Sequence, residues 1–290
     1  MMPIIIVLLF VLAIRGLTLP GGIDGLKFLF LPRFDELTAS AIVLALGHSF
    51  FTLSLGMGTM ITYGSYLNKK QNLLNSALWV IALDTAIALL AGTAIFTSVF
   101  AAGADPDGGP GLIFYILPSI FPQLAYGAIW GTLFFTLLFM AALTSAISIL
   151  EVVTAYFIDQ KGWSRNRATI QFGAIITIVG VFCSFSMGGG INIAEYFGSS
   201  FQHYLGETFF DVMDNLSSKY MLPFGGMMTA IFILVRWGVP SFLFEFGGEN
   251  LDSEKNRLIV TIFCFIAAGV AGFILLNELI ETITGNAIIG

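Results

Sequence analysis

Long apolar runs constrain what this chain can fold into. Near residues 1–20, 39–66, 72–101, 126–158, 167–187, 209–237 and 257–281 the sequence carries few charges over about 20 residues or more. That is the length a helix needs to cross the hydrocarbon core of a bilayer. Charged residues are 10% of the chain and mean hydropathy is +0.91, whereas soluble domains are nearer a quarter charged. The expectation is an all-α, polytopic membrane helical bundle of about seven transmembrane helices. Arg15 interrupts the first span and makes it the weakest.

Lysine and arginine placement gives an orientation. Lys69 and Lys70 lie in one connection, Lys161, Arg165 and Arg167 in another, and Arg236, Lys255 and Arg257 near a third. The alternate connections at 102–125 and 188–208 have no Lys or Arg, and 21–38 has Lys27 and Arg33. The positive-inside rule therefore puts Met1 on the cytoplasmic side, and segment 102–125 and Gly290 outside. Several chemistries find no support. There is no phosphate-cradling loop, no GxSxG, no HExxH and no basic–aromatic tract for nucleic acid. Cys183 and Cys264 sit singly in apolar spans and read as buried small hydrophobes, not as metal or redox pairs.

The span 39–66 is unlike a plain lipid-facing helix. It contains Gly47, then Ser54, Gly56, Gly58 and Gly64 where leucines would be expected. Each interior Gly costs about 1 kcal/mol relative to Ala. Unwound backbone at membrane depth is tolerated only when buried in protein or lining a cavity, where freed carbonyls can coordinate a cation or ammonium. Close packing of helices through small residues explains the same glycines equally well.

Three further features carry polar chemistry. Asp84 is the only charge in the span 72–101, and a mid-membrane carboxylate costs roughly 2.5–3.5 kcal/mol on insertion scales. Thr144, Ser148 and Glu151 share one helix face by their i, i+4, i+7 spacing. The Thr144 and Ser145 hydroxyls, with the Ala141 carbonyl, are hard oxygen donors, or the face is a small-residue packing seam. Asp211 and Asp214 stand at the start of the span 209–237, as an entrance gate or as an ordinary acidic helix start.

These runs resemble the neurotransmitter:sodium symporters, in particular their bacterial amino-acid branch. GHSFFTLSLGMGTMITYGSYL is similar to the family's sixth helix, ALDTAIALLAG to the seventh, MAALTSAISILE to the eighth and FFDVMDN to the start of the tenth. RGLTLPG looks like the outer end of the fifth. The resemblance implies a partial inverted-repeat, leucine-transporter-like fold that lacks the first four helices. Residues 1–290 then form a single transmembrane domain: the last helix of a first repeat, a second repeat over 39–237 and an extra helix at 257–281.

By the same resemblance, Thr52 and Asp84 match one sodium site, and Ala141, Thr144 and Ser145 a second. Phe51, Thr52, Ser54, Met57, Ser145 and Ile149 match the substrate pocket. Asp214 matches the outer gate, Asp159 and Tyr66 the cytoplasmic gate. His48 stands where a Gln is common, and Asp84 where Asn is common. The implied activity is sodium-coupled symport of an amino acid or related amine in a full-length parent, not an enzymatic reaction. The implied setting is a multi-pass protein of a bacterial inner membrane, in contact with the lipid bilayer. Chloride dependence stays open, and a homodimer is compatible with the reading. With half the ion cage missing, the chain alone is expected to be inactive. A non-transporting scaffold that keeps the symporter helices is the alternative.

Overall fold

The computed structural model describes residues 2–68, 71–106, 112–187, 208–247 and 253–284. Lys69, Lys70, Asp107, His203 and the 188–207 connection lie outside them. All regular structure among the described residues is helical. Among the described residues five helices are long and apolar enough to cross a membrane: α5 (Leu73–Ala101), α7 (Gly127–Lys161), α8 (Arg165–Met187), α9 (Phe209–Trp237) and α11 (Glu254–Thr284). They correspond to five of the seven apolar runs. The other two are built differently.

The run at 1–20 continues into a second helix. α1 (Met2–Leu17) and α2 (Gly22–Phe30) meet at an angle of 115°. The corner contains Pro20, which has no N–H for a helix ladder, and Gly21 at φ +84. The run at 39–66 is divided into α3 (Ala39–Thr52) and α4 (Thr59–Ser65), neither long enough to span alone.

The chain forms two compact units, with divisions after Glu36, inside α5 and inside α7. One comprises Met1–Glu36 and Trp79–Ile147. Its core is the face of α1 formed by Ile5, Leu9, Leu12 and Ala13, at i, i+4, i+7 and i+8. Ala94 and Val99 of α5, Leu117 and Phe121 of α6 (Leu112–Gln123), and Phe134 and Leu137 of α7 complete it. Gly16 lets α1 approach α5 closely, since a β-carbon there would stand 1.9 Å from Thr97 Oγ1. Arg15 is accommodated in the last turn of α1. Its guanidinium lies 5.4 Å from the Trp130 ring centroid and donates to Thr18 Oγ1 at 3.1 Å. Thr93, Thr97 and Ser98 donate their hydroxyls to carbonyls four residues back, so these polar groups of α5 are satisfied within the helix.

The other unit comprises Leu37–Leu78 and Ser148–Gly290. Its main helix pairing joins the middle of α9, Leu222–Phe232, to α11. Near the start of that pairing Lys219 Nζ lies 3.6 Å from Glu278 Oε2, and the Tyr220 and Thr282 hydroxyls share a hydrogen bond. α9 is continuous but has wide π turns at Leu216–Met221 and Ile233–Trp237. The short helix α10 (Val239–Gly247) follows. α7 and α8 form a hairpin that turns at Gly162, φ +64, and is fastened by Phe157, Trp163 and Phe172. Large apolar side chains such as Ile170, Phe224 and Phe263 are exposed, as helices with apolar outer faces require in lipid.

Candidate functional site

The interruption between α3 and α4 is a six-residue stretch, Leu53–Gly58, in which the backbone leaves the helix three times. Ser54, Gly56 and Gly58 have φ of +54, +82 and +83. Glycine takes this left-handed geometry without penalty, while at Ser54 it costs roughly 1–2 kcal/mol. Two bonds cap the upper half: Ser54 N–H donates to Phe51 O at 3.0 Å and Leu55 N–H to Phe50 O at 2.8 Å. Thr62 N–H to Gly58 O, 2.9 Å, begins the lower half.

The stretch is buttressed from behind by the glycine pair of α9. A β-carbon on Gly56 would stand 2.2 Å from Leu222 O, and one on Gly225 would stand 2.1 Å from Gly56 O. A β-carbon on Gly226 would meet the Phe50 ring at 2.3 Å. Backbone therefore lies on backbone, a contact only these glycines allow. Beside it is a cavity of about 470 Å³, bordered by Ser54, Gly56 and Gly58, by Thr229 of α9, and by Phe263 and Cys264 of α11. Thr59, the first residue of α4, has a buried hydroxyl with no hydrogen-bond partner among the described residues; Thr154 of α7 is the same. Thr59 was not apparent from the sequence, although its place directly after Gly58 was a signal.

A second cavity, about 630 Å³, lies toward the Thr38 end of α3. Phe51 and His48 line it, their rings stacked 6.4 Å apart, together with Asp214, Lys219 and Glu278. The two acids at the head of α9 have separate jobs. Asp211 closes a capping box: its carboxylate accepts from Thr208 N–H and Oγ1 at 3.0 and 2.8 Å, while Thr208 Oγ1 accepts from Asp211 N–H. Asp214 is exposed and borders the cavity.

At the opposite end of the same unit Tyr66 closes α4. Its hydroxyl donates to Glu151 Oε1 at 2.7 Å, and Arg165 grips the same carboxylate with two bonds of 2.7 and 3.0 Å. Glu151 is thus the partner of Tyr66, whereas Asp159 is exposed at the end of α7. A bidentate Arg fork with a phenol on one carboxylate is a geometrically specific latch between α4, α7 and α8. The residue spacing showed Glu151 on a polar face, but gave no sign of Arg165 as its partner.

The remaining candidates occupy regular helix. Asp84 is half-buried in the first half of α5. Thr144 is half-buried in α7 and donates to the Ala141 carbonyl at 2.8 Å, which sets two of the proposed oxygen donors side by side. Ser145 is exposed one residue on. Asp84, Ala141, Thr144 and Ser145 belong to the first unit; Phe51, Thr52, Ser54, Met57, Ile149, Tyr66, Asp159 and Asp214 belong to the second.

A broken apolar span backed by glycines thus has an acid-bordered cavity toward one end of its unit and an ionic latch toward the other. The model of the Sodium:neurotransmitter symporter family matches residues 1–284. The chain belongs to this family. Symporter-family relatives include an uncharacterized sodium-dependent transporter of Bacillus subtilis (strain 168), YhdH, which is 38% identical over 86% of this chain and 54% of its own length. An uncharacterized sodium-dependent transporter of Haemophilus influenzae is 35% identical over 80% of this chain and 49% of its own length. The crystal structure of MhsT in complex with L-phenylalanine is 43% identical and superposes with a TM-score of 0.79, over 95% of this chain and 60% of MhsT. The fold is thus the MhsT-like, all-helical membrane fold. The chain spans about half the length of the curated relatives it matches. Nothing in the family assignment points to an enzyme.

Proposed function

We propose that this chain serves sodium-coupled symport of an amino acid or related amine, with residues outside the chain completing the ion and substrate sites. The observation that carries the reading is the Leu53–Gly58 interruption, held open against the Gly225–Gly226 backbone in an otherwise apolar run. Such a break frees carbonyl groups and presents two half-helix ends at membrane depth, the device by which a low-dielectric interior can hold a small ion and a zwitterion.

In this reading Thr52 and Asp84 contribute to one sodium site, and Ala141 O, Thr144 and Ser145 to another. Phe51, Thr52, Ser54, Met57, Ser145 and Ile149 face the substrate. Asp214 gates the outer side, and Asp159 with Tyr66 the cytoplasmic side. The second repeat runs over 39–237, preceded by the last helix of the first repeat and followed by an extra helix at 257–281. Five or six oxygens are needed to offset dehydration of a cation, and one chain segment does not supply them. In the same reading the Asp84 carboxylate stands in for the negative charge that chloride would otherwise bring. MhsT binds L-phenylalanine, which makes apolar amino acids the first substrates to test. Met57 can repack around several side chains.

The test is uptake of labelled L-phenylalanine and other amino acids into proteoliposomes, with sodium or potassium outside, for this chain and for a form extended to the length of its relatives. Sodium-dependent uptake by the extended form and none by this chain is expected. An extended form that neither binds nor moves any amino acid with sodium overturns the reading. Transport by the short chain overturns the need for further residues. Chloride-dependent uptake by the unaltered extended form overturns the role given to Asp84.

A further inference from the structure

The turn between α7 and α8 carries a feature that transport chemistry does not use. Gly162 N–H donates to Ile158 O at 3.1 Å and Trp163 N–H to Phe157 O at 3.2 Å, which folds the turn tightly onto the end of α7. The Trp163 ring lies 4.7 Å from Phe157 and 6.3 Å from Phe172, and the Phe157 and Phe172 rings are 4.5 Å apart. Ala168, in the first turn of α8, is fully buried. The turn thus carries a packed aromatic platform at the junction of two membrane-spanning helices.

Cations border this platform. The Arg167 guanidinium lies 4.2 Å from the Trp163 ring centroid. Lys161 is four residues after Phe157 and so rises from the same side of α7. Both are exposed, and neither makes an ion pair with an acidic side chain among the described residues. Arg165, between them, is already committed to Glu151. Asp159 is the nearest acid in sequence, but it is two residues from both Phe157 and Lys161, which turns it to the opposite side of the helix.

We propose that Lys161 and Arg167, set around Trp163, form a binding site for the phosphate headgroup of an anionic phospholipid. A tryptophan between two spans belongs at the level of lipid headgroups, where its ring is half in apolar surroundings and its edge is polar. Cations at this level are drawn to the negative surface potential of an anionic bilayer. Here both rise from one turn, and the guanidinium is pre-oriented by its stacking on Trp163. The site depends on the membrane-spanning fold and not on any transported substrate.

The experiment is native mass spectrometry of this chain in detergent with phosphatidylglycerol or phosphatidylcholine of identical acyl chains. Phosphatidylglycerol should be retained about tenfold better. The double variant Lys161→Ala/Arg167→Ala should lose that preference, while Lys161→Arg/Arg167→Lys should keep most of it. Lys27→Ala/Arg33→Ala removes two cations that are already paired, with Asp24 and Glu36, and should leave the preference intact. Unchanged far-ultraviolet circular dichroism certifies that each variant is folded. The proposal is overturned if the Lys161/Arg167 double variant retains the preference or if the Lys27/Arg33 control loses it equally. It is also overturned if soluble glycerol phosphate binds as tightly as the lipid, since the ligand would then be a free phosphate.

Discussion

The carbonyl oxygen of Gly56 lies 2.1 Å from the place where a β-carbon on Gly225 would stand. The two residues are far apart in sequence, yet neither can carry a side chain while the other keeps its place. Gly225→Ala should therefore destabilise the protein by about 1–3 kcal/mol, as overpacking does. Gly56→Ala should be at least as harmful, because it adds a φ of +82 to the clash. Gly180→Ala in α8 meets nothing within 4 Å and should be neutral or stabilising by roughly 0.5–1 kcal/mol. Thermal unfolding followed by fluorescence-detected size exclusion ranks the three. Equal midpoints for Gly225→Ala and Gly180→Ala contradict the contact.

Tyr66, Glu151 and Arg165 act as one unit. Tyr66→Phe and Arg165→Ala each remove a donor from the same carboxylate, so the double variant should lose less than the sum of the two single losses. Limited proteolysis in the segment after Tyr66 reports opening of this end. Additive protection changes mean that the two donors are independent.

Lys219 and Glu278 should show the asymmetry expected of a partly buried pair. Glu278 is the more enclosed, with 15% side-chain exposure against 43% for Lys219. Lys219→Met leaves that carboxylate alone and should cost on the order of 1–3 kcal/mol. Lys219→Met/Glu278→Leu should recover most of the loss. A double variant less stable than the single one shows the pair to be net stabilising in its own right.

In the extended form, Thr144→Val should raise the sodium concentration for half-maximal uptake about tenfold, equivalent to about 1.4 kcal/mol. Thr144→Ser keeps the hydroxyl and should change it little. Equal effects of the two variants mean that the hydroxyl bonded to Ala141 O contributes nothing to ion binding.

The sequence was most informative where one residue type has few structural uses. Gly56 and Gly58 pointed to a break, and the backbone is indeed left-handed at both. It was less informative where the partner is remote. Gly225 and Gly226 look like any small pair in an apolar run, and only the folded chain brings them to Gly56 and Phe50. Position alone left Asp211 and Asp214 equivalent, and only the resemblance favoured Asp214; the capping box of Thr208 separates them in the structure. The end of the first run near Pro20–Gly21 was legible, but the helix beyond it was not, because Asp24 and Lys27 made 21–38 read as a connection. Arg165 read as a loop charge setting orientation, and its grip on Glu151 depends on how tightly the α7–α8 turn closes.

The wide turn at Leu216–Met221 gives α9 two registers in one continuous rod, Phe209–Asn215 and Leu222–Phe232, and the one at Ile233–Trp237 ends it. Each wide turn takes in about one extra residue, which rotates everything beyond it by about 100°. Gly225 and Gly226 thus face the α3–α4 interruption from a phase set by the first such turn. A scan of substitution tolerance along α9 should show a 3.6-residue rhythm that slips once, at Leu216–Met221. Deleting one residue from the first turn would swing the glycines away while leaving the helix unbroken.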